Sequence, residues 1–142
     1  MAMPEAPRGP ATGLTPHLTI RDNRAVEAID FYTAAFGAEE QRRMLADDGK
    51  RLMHAHLLLN GASLMLNDEF PEYQGPGDTG SVSPSGLVLH LQVDDADAWF
   101  DRAVKAGASA RMPLENMFWG DRYGQIDDPF GYTWSIGAPV SQ

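Results

Sequence analysis

Two histidines, His54 and His56 in "RLMHAHLLL", stand in a run that is otherwise apolar and strand-like. Alternate residues of a strand share a face, so both imidazoles point the same way. His17 in "HLTIRD" and His90 in "HLQVDD" supply two more. At neutral pH an imidazole can ligate a divalent metal, move a proton as a general base, or hydrogen-bond a ligand. The chain has no cysteine. That excludes disulfides, thiolate nucleophiles and zinc–thiolate sites, and leaves any metal to His, Asp or Glu.

The elements that must position these histidines show an internal repeat. "HLTIRD" at residues 17–22 recurs as "HLQVDD" at residues 90–95, and a helical pattern ending at a glycine follows each copy. The first helix is predicted over residues 24–36, with Ala25, Ile29, Tyr32 and Phe36 on one face. Asn23 is placed to cap its start, and Gly37 suits a left-handed stop. The second is predicted over residues 96–106, with Ala96, Trp99, Phe100 and Ala103 as its apolar face and Gly107 after it. Asp94, Asp95 and Asp97 sit where the helix dipole favours negative charge. Strand-like segments follow at residues 39–45, 51–59 and 62–67, and again at 109–115, 122–127 and 132–136. The chain thus reads as a tail (1–13), a βαβββ module (14–70), a Pro/Gly/Ser-rich linker (71–86) and a second βαβββ module (87–138), in one structural domain.

Asn60-Gly61 fixes how the first module's hairpin pairs. A type I′ turn needs positive φ at both central residues, which Asn-Gly supplies. Paired residue numbers then sum to 121, so His56 lies opposite Met65 and His54 opposite Asn67. Ala55, Leu57, Leu59, Leu64 and Leu66 share the other, purely apolar face, which belongs in the core. By the same alternation His17 and His90 leave the faces of Leu18 and Ile20 and of Leu91 and Val93. Two readings follow: His17, His56 and His90 share one concave surface, or they are unrelated polar residues on half-solvated faces. Trp134 and Tyr132, of opposite parity to Ser135, are expected in the core. Asp127 and Asp128 in "DDPFG" are expected to shape a turn.

Hydrophobic residues make up 43% of the 142, enough for a core. Net charge is -9 and the isoelectric point about 4.7. Such a surface repels phosphate backbones, so nucleic acid is not an expected partner; the charge either serves solubility alone or attracts cationic small molecules. No run of eighteen apolar residues suits a membrane span, and "MAMPEAPRGPATG" lacks a signal peptide's apolar stretch, so a cytoplasmic protein is expected.

The segments "HLTIRD…AIDFYTAAFGAE", "LMLNDEFPE", "LHLQVDDADAWFDRAVKAGA" and "FWGDRYGQIDDPFGYTWSI" together resemble the glyoxalase/bleomycin-resistance/dioxygenase superfamily, also called vicinal oxygen chelate. The resemblance covers residues 14–136 and is closer to its metal-lacking, glyoxalase-like branch. It implies an α+β fold of two βαβββ modules, each with a curved four-stranded sheet, cupping a shared ligand cavity. It also implies a homodimer. Metal-using members place one ligand on the first and one on the last strand of each module, positions that the resemblance puts at Thr15, Met65, Val88 and Ser135. None offers the imidazole or carboxylate that Zn or Fe would want.

The sequence therefore supports a metal-independent small-molecule-binding protein without a cofactor. By resemblance to the bleomycin-resistance members, it would sequester an aromatic or cationic compound. Its ligand-binding residues are His17, His56, Met65, Phe70, His90, Trp119, Arg122, Tyr123 and Ser135, an aromatic-walled set with a few polar groups. The alternative is a metal-dependent lyase or dioxygenase with a divalent metal held at a shifted His17/His56/His90 centre. The same three histidines are the candidate general bases of a metal-free enzyme. A structural module that uses only its dimer surface is the remaining possibility.

Overall fold

A computed structural model of the chain describes residues 9–73 and 86–140. The elements are β1 (His17–Ile20), α1 (Ala25–Phe36), β2 (Glu39–Leu45), β3 (Leu52–Leu59), β4 (Ala62–Asp68), a 3₁₀ turn (Pro71–Tyr73), β5 (Leu89–Gln92), α2 (Ala96–Ala106), β6 (Ser109–Asn116), β7 (Asp121–Asp127) and β8 (Thr133–Pro139). The order is βαβββ twice. Four strands run β1-β4-β3-β2 in one sheet and β5-β8-β7-β6 in the other. In each, the first and last strands of the module pair in parallel and the remaining pairs are antiparallel. This is the expected α+β fold. Two compact units result; among the described residues the first holds 9–30 and 38–73, the second 31–37 and 86–140. Most of the 71–86 linker and the first eight residues of the tail lie outside the described residues.

In the first unit the Asn60-Gly61 turn forms as expected, with φ of 52° and 80°. Ala55↔Leu66, His56↔Met65 and Leu57↔Leu64 are paired. Ala55, Leu57, Leu59, Leu64, Leu66, Leu18 and Ile20 are all buried. A register shift where Met44 pairs with His54 and Leu45 with Leu52 inserts one extra residue into β3. Such a bulge reverses parity locally. Leu52 therefore turns into the core while Met53 stays exposed.

The start of α1 differs from expectation. Asn23 does not cap it: Asp22 and Asn23 adopt left-handed φ of 64° and 60°, whereas a capping residue keeps an extended backbone. The buried Asp68, at the end of β4, takes that role. Its Oδ1 accepts from the Ala25 N–H at 2.9 Å and its Oδ2 from the Leu52 N–H at 2.7 Å. One carboxylate thus ties helix, hairpin and last strand together, with the negative charge that a helix N-terminus favours.

In the second unit α2 begins at Asp95, whose side chain accepts from the Ala98 N–H at 3.1 Å, and ends at Gly107 with φ of 127°. It packs on β6, β7 and β8. Gly124 on β7 permits the approach, since a Cβ there would lie 2.9 Å from the Met112 carbonyl and 3.0 Å from the Phe100 ring. Arg102 of α2 donates to the Ala34 and Thr33 carbonyls at 2.8 and 3.3 Å, satisfying the C-terminal turn of α1. There Tyr32 and Phe36 pack on Trp134, with centroids 5.5 and 4.9 Å away, and Phe31 packs on Phe130 at 5.9 Å.

Asp128 organises this aromatic core. Its Oδ1 accepts from the Phe130 and Tyr132 N–H groups at 2.8 and 3.0 Å, closing the β7–β8 turn. Its Oδ2 accepts from the Tyr32 hydroxyl at 2.7 Å and the Trp134 indole at 2.8 Å. Burial and then the adjacent carboxylate raise the Tyr32 phenol well above its ordinary pKa. Trp134 is core as expected. Tyr132 is not: it sits in the turn before β8 begins and is half-buried. Among the described residues no helix is long and apolar enough to cross a membrane.

Replacing Asp68 with Ala should destabilise the protein by about 3 kcal/mol or more, because two buried N–H groups lose a charged acceptor. Urea unfolding checks this; a change within about 0.5 kcal/mol would show that water satisfies both donors.

Candidate functional site

The polar face of the first sheet is built from four strands in register. His17 pairs with Met65, Met65 with His56, and His56 with Arg42. Directly paired residues share a face, so these four side chains form one row. Thr19 with Asn67 and His54 with Met44 extend the same face. His56 is only 2% exposed; its Nε2 meets the Ser63 hydroxyl at 2.8 Å, and its buried Nδ1 has no hydrogen-bond partner among the described residues. The tautomer protonated at Nε2 leaves a bare lone pair at Nδ1 rather than an orphaned N–H, the cheaper of the two. His54 is held below the ordinary imidazole pKa by burial, then by His17, His56 and Arg42 nearby. His17 is exposed and Met65 half-buried.

The polar face of the second sheet carries the equivalent row: His90 pairs with Ser135, Ser135 with Gln125, and Gln125 with Met112. His90 Nε2 lies 2.8 Å from Gln92 Oε1 and Nδ1 lies 2.7 Å from the Ser135 hydroxyl. An amide oxygen only accepts, so Nε2 carries the proton and Nδ1 accepts from Ser135. The ring stacks on Tyr123 at 6.0 Å and 17°. Gly137 makes room for it: a Cβ there would stand 3.0 Å from His90 Cε1. Trp119 meets Tyr123 edge-on at 5.6 Å, and Phe118 meets Trp119 at 5.0 Å. Phe118 is 97% exposed and Trp119 51%. An aromatic series therefore runs from His90 out to the β6–β7 hairpin tip.

Two residues expected at the site have other partners. Arg122 pairs with Ala138 on β8, so it lies on the helix side of the sheet, opposite His90 and Tyr123. Its guanidinium forks onto Asp97 at 2.8 and 3.0 Å and reaches Asn116 at 3.2 Å. These groups line a polar cavity of about 520 Å³ at the start of α2, together with Asp94 and Asp95. Phe70 carries the Arg51 guanidinium 4.4 Å above its ring, while Arg51 forks onto Glu72 and bonds Asp48. That pairing holds the Asp48 carboxyl down at about 2.

The metal positions implied by resemblance also shift. Thr15 and Val88 precede their strands, and the register puts His17 beside Met65 and His90 beside Ser135 instead. The donors do not fit a divalent ion. Both His90 nitrogens and the His56 Nε2 already have partners, Met65 offers only a thioether, and no carboxylate joins either row. Among the described residues no three His, Cys, Asp or Glu side chains converge. Arg42, Gln92 and Gln125 were not among the candidates. Strand pairing alone exposes them, and the β2 register depends on bulges that the sequence does not signal.

Two four-stranded sheets built from a repeated βαβββ unit, each with a polar face bearing a first-strand histidine, define a glyoxalase fold. The chain matches the Glyoxalase/Bleomycin resistance protein/Dioxygenase superfamily over residues 15–136 and belongs to that family. Rv0887c of Mycobacterium tuberculosis is 47% identical over 131 residues, covering 91% of this chain and 75% of its own. The solved structure of the At5g48480 gene product of Arabidopsis thaliana superposes with a TM-score of 0.68 at 31% identity, covering 88% of this chain and 97% of its own. PA1353 of Pseudomonas aeruginosa superposes at 0.70 with 26% identity, covering 92% and 100%.

Gly137→Ala should push the His90 ring off Ser135 and Tyr123, read as a shifted His90 Cε1–H resonance with the fold retained; an unmoved resonance would refute the contact. Lowered His54 basicity also sets a pH dependence. An unfolded histidine takes its proton near pH 6.5 and the folded His54 at lower pH, so stability falls as pH drops through that window and levels off below it. Thermal melts should therefore show His54→Gln losing less stability than wild type between pH 7.5 and 5.

Proposed function

We propose that this protein binds a small molecule containing a flat ring, without a metal, and holds it against the aromatic series of the second unit. The observation that carries the reading is that series: His90 stacked on Tyr123, Trp119 edge-on to Tyr123, and Phe118 and Trp119 left in water. Exposed large rings lose water favourably when a flat ligand covers them, and their faces attract heteroaromatic or cationic groups. The Ser135–His90–Gln92 chain supplies polar groups of defined direction beside them. His17, His56 and Met65 are assigned to ligand contact on the first sheet, and Ser135 to orienting His90. Phe70 and Arg122 are withdrawn from direct contact, because each already has a structural partner. The acidic surface favours cationic members of the ligand class by long-range attraction. Sequestration, as in bleomycin resistance, suits a site in which His56 and His90 are already committed to hydrogen bonds. A homodimer and a cytoplasmic setting complete the proposal.

Tryptophan fluorescence tests it. Planar heteroaromatic compounds, cationic and neutral, should quench emission from Trp119. Trp119→Ala and Tyr123→Ala should each weaken binding about 2- to 10-fold, the value of one ring contact. Exhaustive dialysis against a chelator should leave affinity unchanged. A panel that neither quenches nor raises the melting temperature would refute ring binding, and binding restored only by a transition metal would favour the lyase or dioxygenase reading.

A further inference from the structure

The first sheet carries a positive charge that no described residue balances. Arg42 is half-buried, and no described residue pairs with it or hydrogen-bonds it. Arg24, Arg43, Arg51, Arg111 and Arg122 each hold a carboxylate, and Arg102 caps α1. Arg21 and Lys50, which are also unpaired, stand exposed in water. Partial burial without a partner costs a guanidinium hydration and returns nothing. Such a group is explained when a ligand supplies the missing acceptor.

Its surroundings point to the ligand's chemistry. By register Arg42 shares a face with His56, Met65 and His17, and His54 with Met44 lies in the next row. His54, on the strand next to β2, lies within electrostatic reach of both Arg42 and His17. On the strands of this sheet the same face carries one carboxylate, Glu39, which pairs with Leu58 and is exposed. Glu40 bonds Arg43, and Arg43 pairs with Ala55, whose side chain belongs to the apolar face. Asp68 is committed to Ala25 and Leu52. Asn67 and Thr19 bond each other. Met44 and Met65 give the face adaptable apolar flanks.

We propose that this face binds the oxyanion of a small organic acid, a carboxylate or a phosphate monoester, with Arg42 as the forked donor, His17 and His54 as supporting donors and the two methionines against the carbon skeleton. Arg geometry matches two oxygens of such a group, and a thioether flank rewards an organic body over inorganic phosphate. The local charge therefore opposes the acidic charge of the whole chain. The inference does not rest on ring binding by the second unit.

Benzoate, phenyl phosphate and inorganic phosphate, titrated into the full chain at constant ionic strength, test it, with phenol as the neutral control. The Arg42 Nε–H and the His17 and His54 Cε1–H resonances report binding. Benzoate or phenyl phosphate should shift all three, and whichever binds more tightly identifies the acid; phenol should shift none. Added sodium chloride should weaken the effect. Arg42→Gln should cost about tenfold or more in affinity, Arg42→Lys less, and Arg43→Gln nothing. Equal losses in Arg42→Gln and Arg43→Gln, or no shift at millimolar probe in a folded wild-type protein, would overturn the proposal. Inorganic phosphate binding as tightly as phenyl phosphate would remove the apolar flank from it. Failure of the Trp119 quenching test would leave the Arg42 response as it is, so the two readings fail separately.

Discussion

A carboxylate withdrawn from water must be given donors, and this fold meets that demand at Asp68 and Asp128. Asp68 is 1% exposed and Asp128 6%. Each spends its oxygens on groups that the backbone or an aromatic ring would otherwise leave unsatisfied. Asp68 takes the first N–H of α1 and the first of β3; Asp128 takes two turn N–H groups, a phenol and an indole. Removing either acid would orphan several donors at once, so each works as a junction rather than as a single bond. The polar faces depend on these junctions. His17 and Met65 stay in register only if β1 and β4 stay parallel up to Asp68, and Ser135 reaches His90 only if the Asp128 turn delivers β8 at the right residue.

Local signals with one physical solution were legible in the sequence. Asn60-Gly61 admits a type I′ turn, and that turn dictates every pair from His56–Met65 to Leu59–Ala62. Gly37 and Gly107 stop their helices because the left-handed conformation they adopt is costly for other residues. What could not be read was set by distant partners. Asn23 has the right chemistry for a cap, but Asp68, 43 residues away, reaches Ala25 instead. Arg122 sits in a segment rich in aromatic residues and suggests a pocket wall, yet alternation along β7 sends it to the helix side, where Asp97 waits. Arg42 was hidden for a third reason: two bulges interrupt the β2–β3 register, and period-two reasoning does not survive a bulge.

Duplication explains why the two polar faces can be compared and why they differ. The row His17–Met65–His56–Arg42 in one unit corresponds to His90–Ser135–Gln125–Met112 in the other. The first-strand histidine is common to both. Its neighbours decide what it does. Beside Met65 no described residue hydrogen-bonds His17, and the imidazole is exposed. Beside Ser135 and Gln92, above Gly137, His90 is fixed in one tautomer and lies flat on Tyr123. The backbone thus holds one position constant while neighbouring side chains leave the imidazole exposed in one unit and fix it in one orientation in the other.

Net charge would have misled here if read as a property of every surface. The chain carries -9, but that charge is not spread evenly: Asp97, Glu72 and Asp48 are paired with arginines, Asp95 caps α2, and Asp68 and Asp128 are buried. A carboxylate paired within a few ångströms contributes little field beyond a Debye length of about 8 Å at physiological salt. What a small ligand meets at the first sheet is the residue of that pairing, an unmatched guanidinium among imidazoles. Among the described residues every other partly buried cation is matched by an acceptor, and the unmatched Arg42 is what the proposed oxyanion would answer.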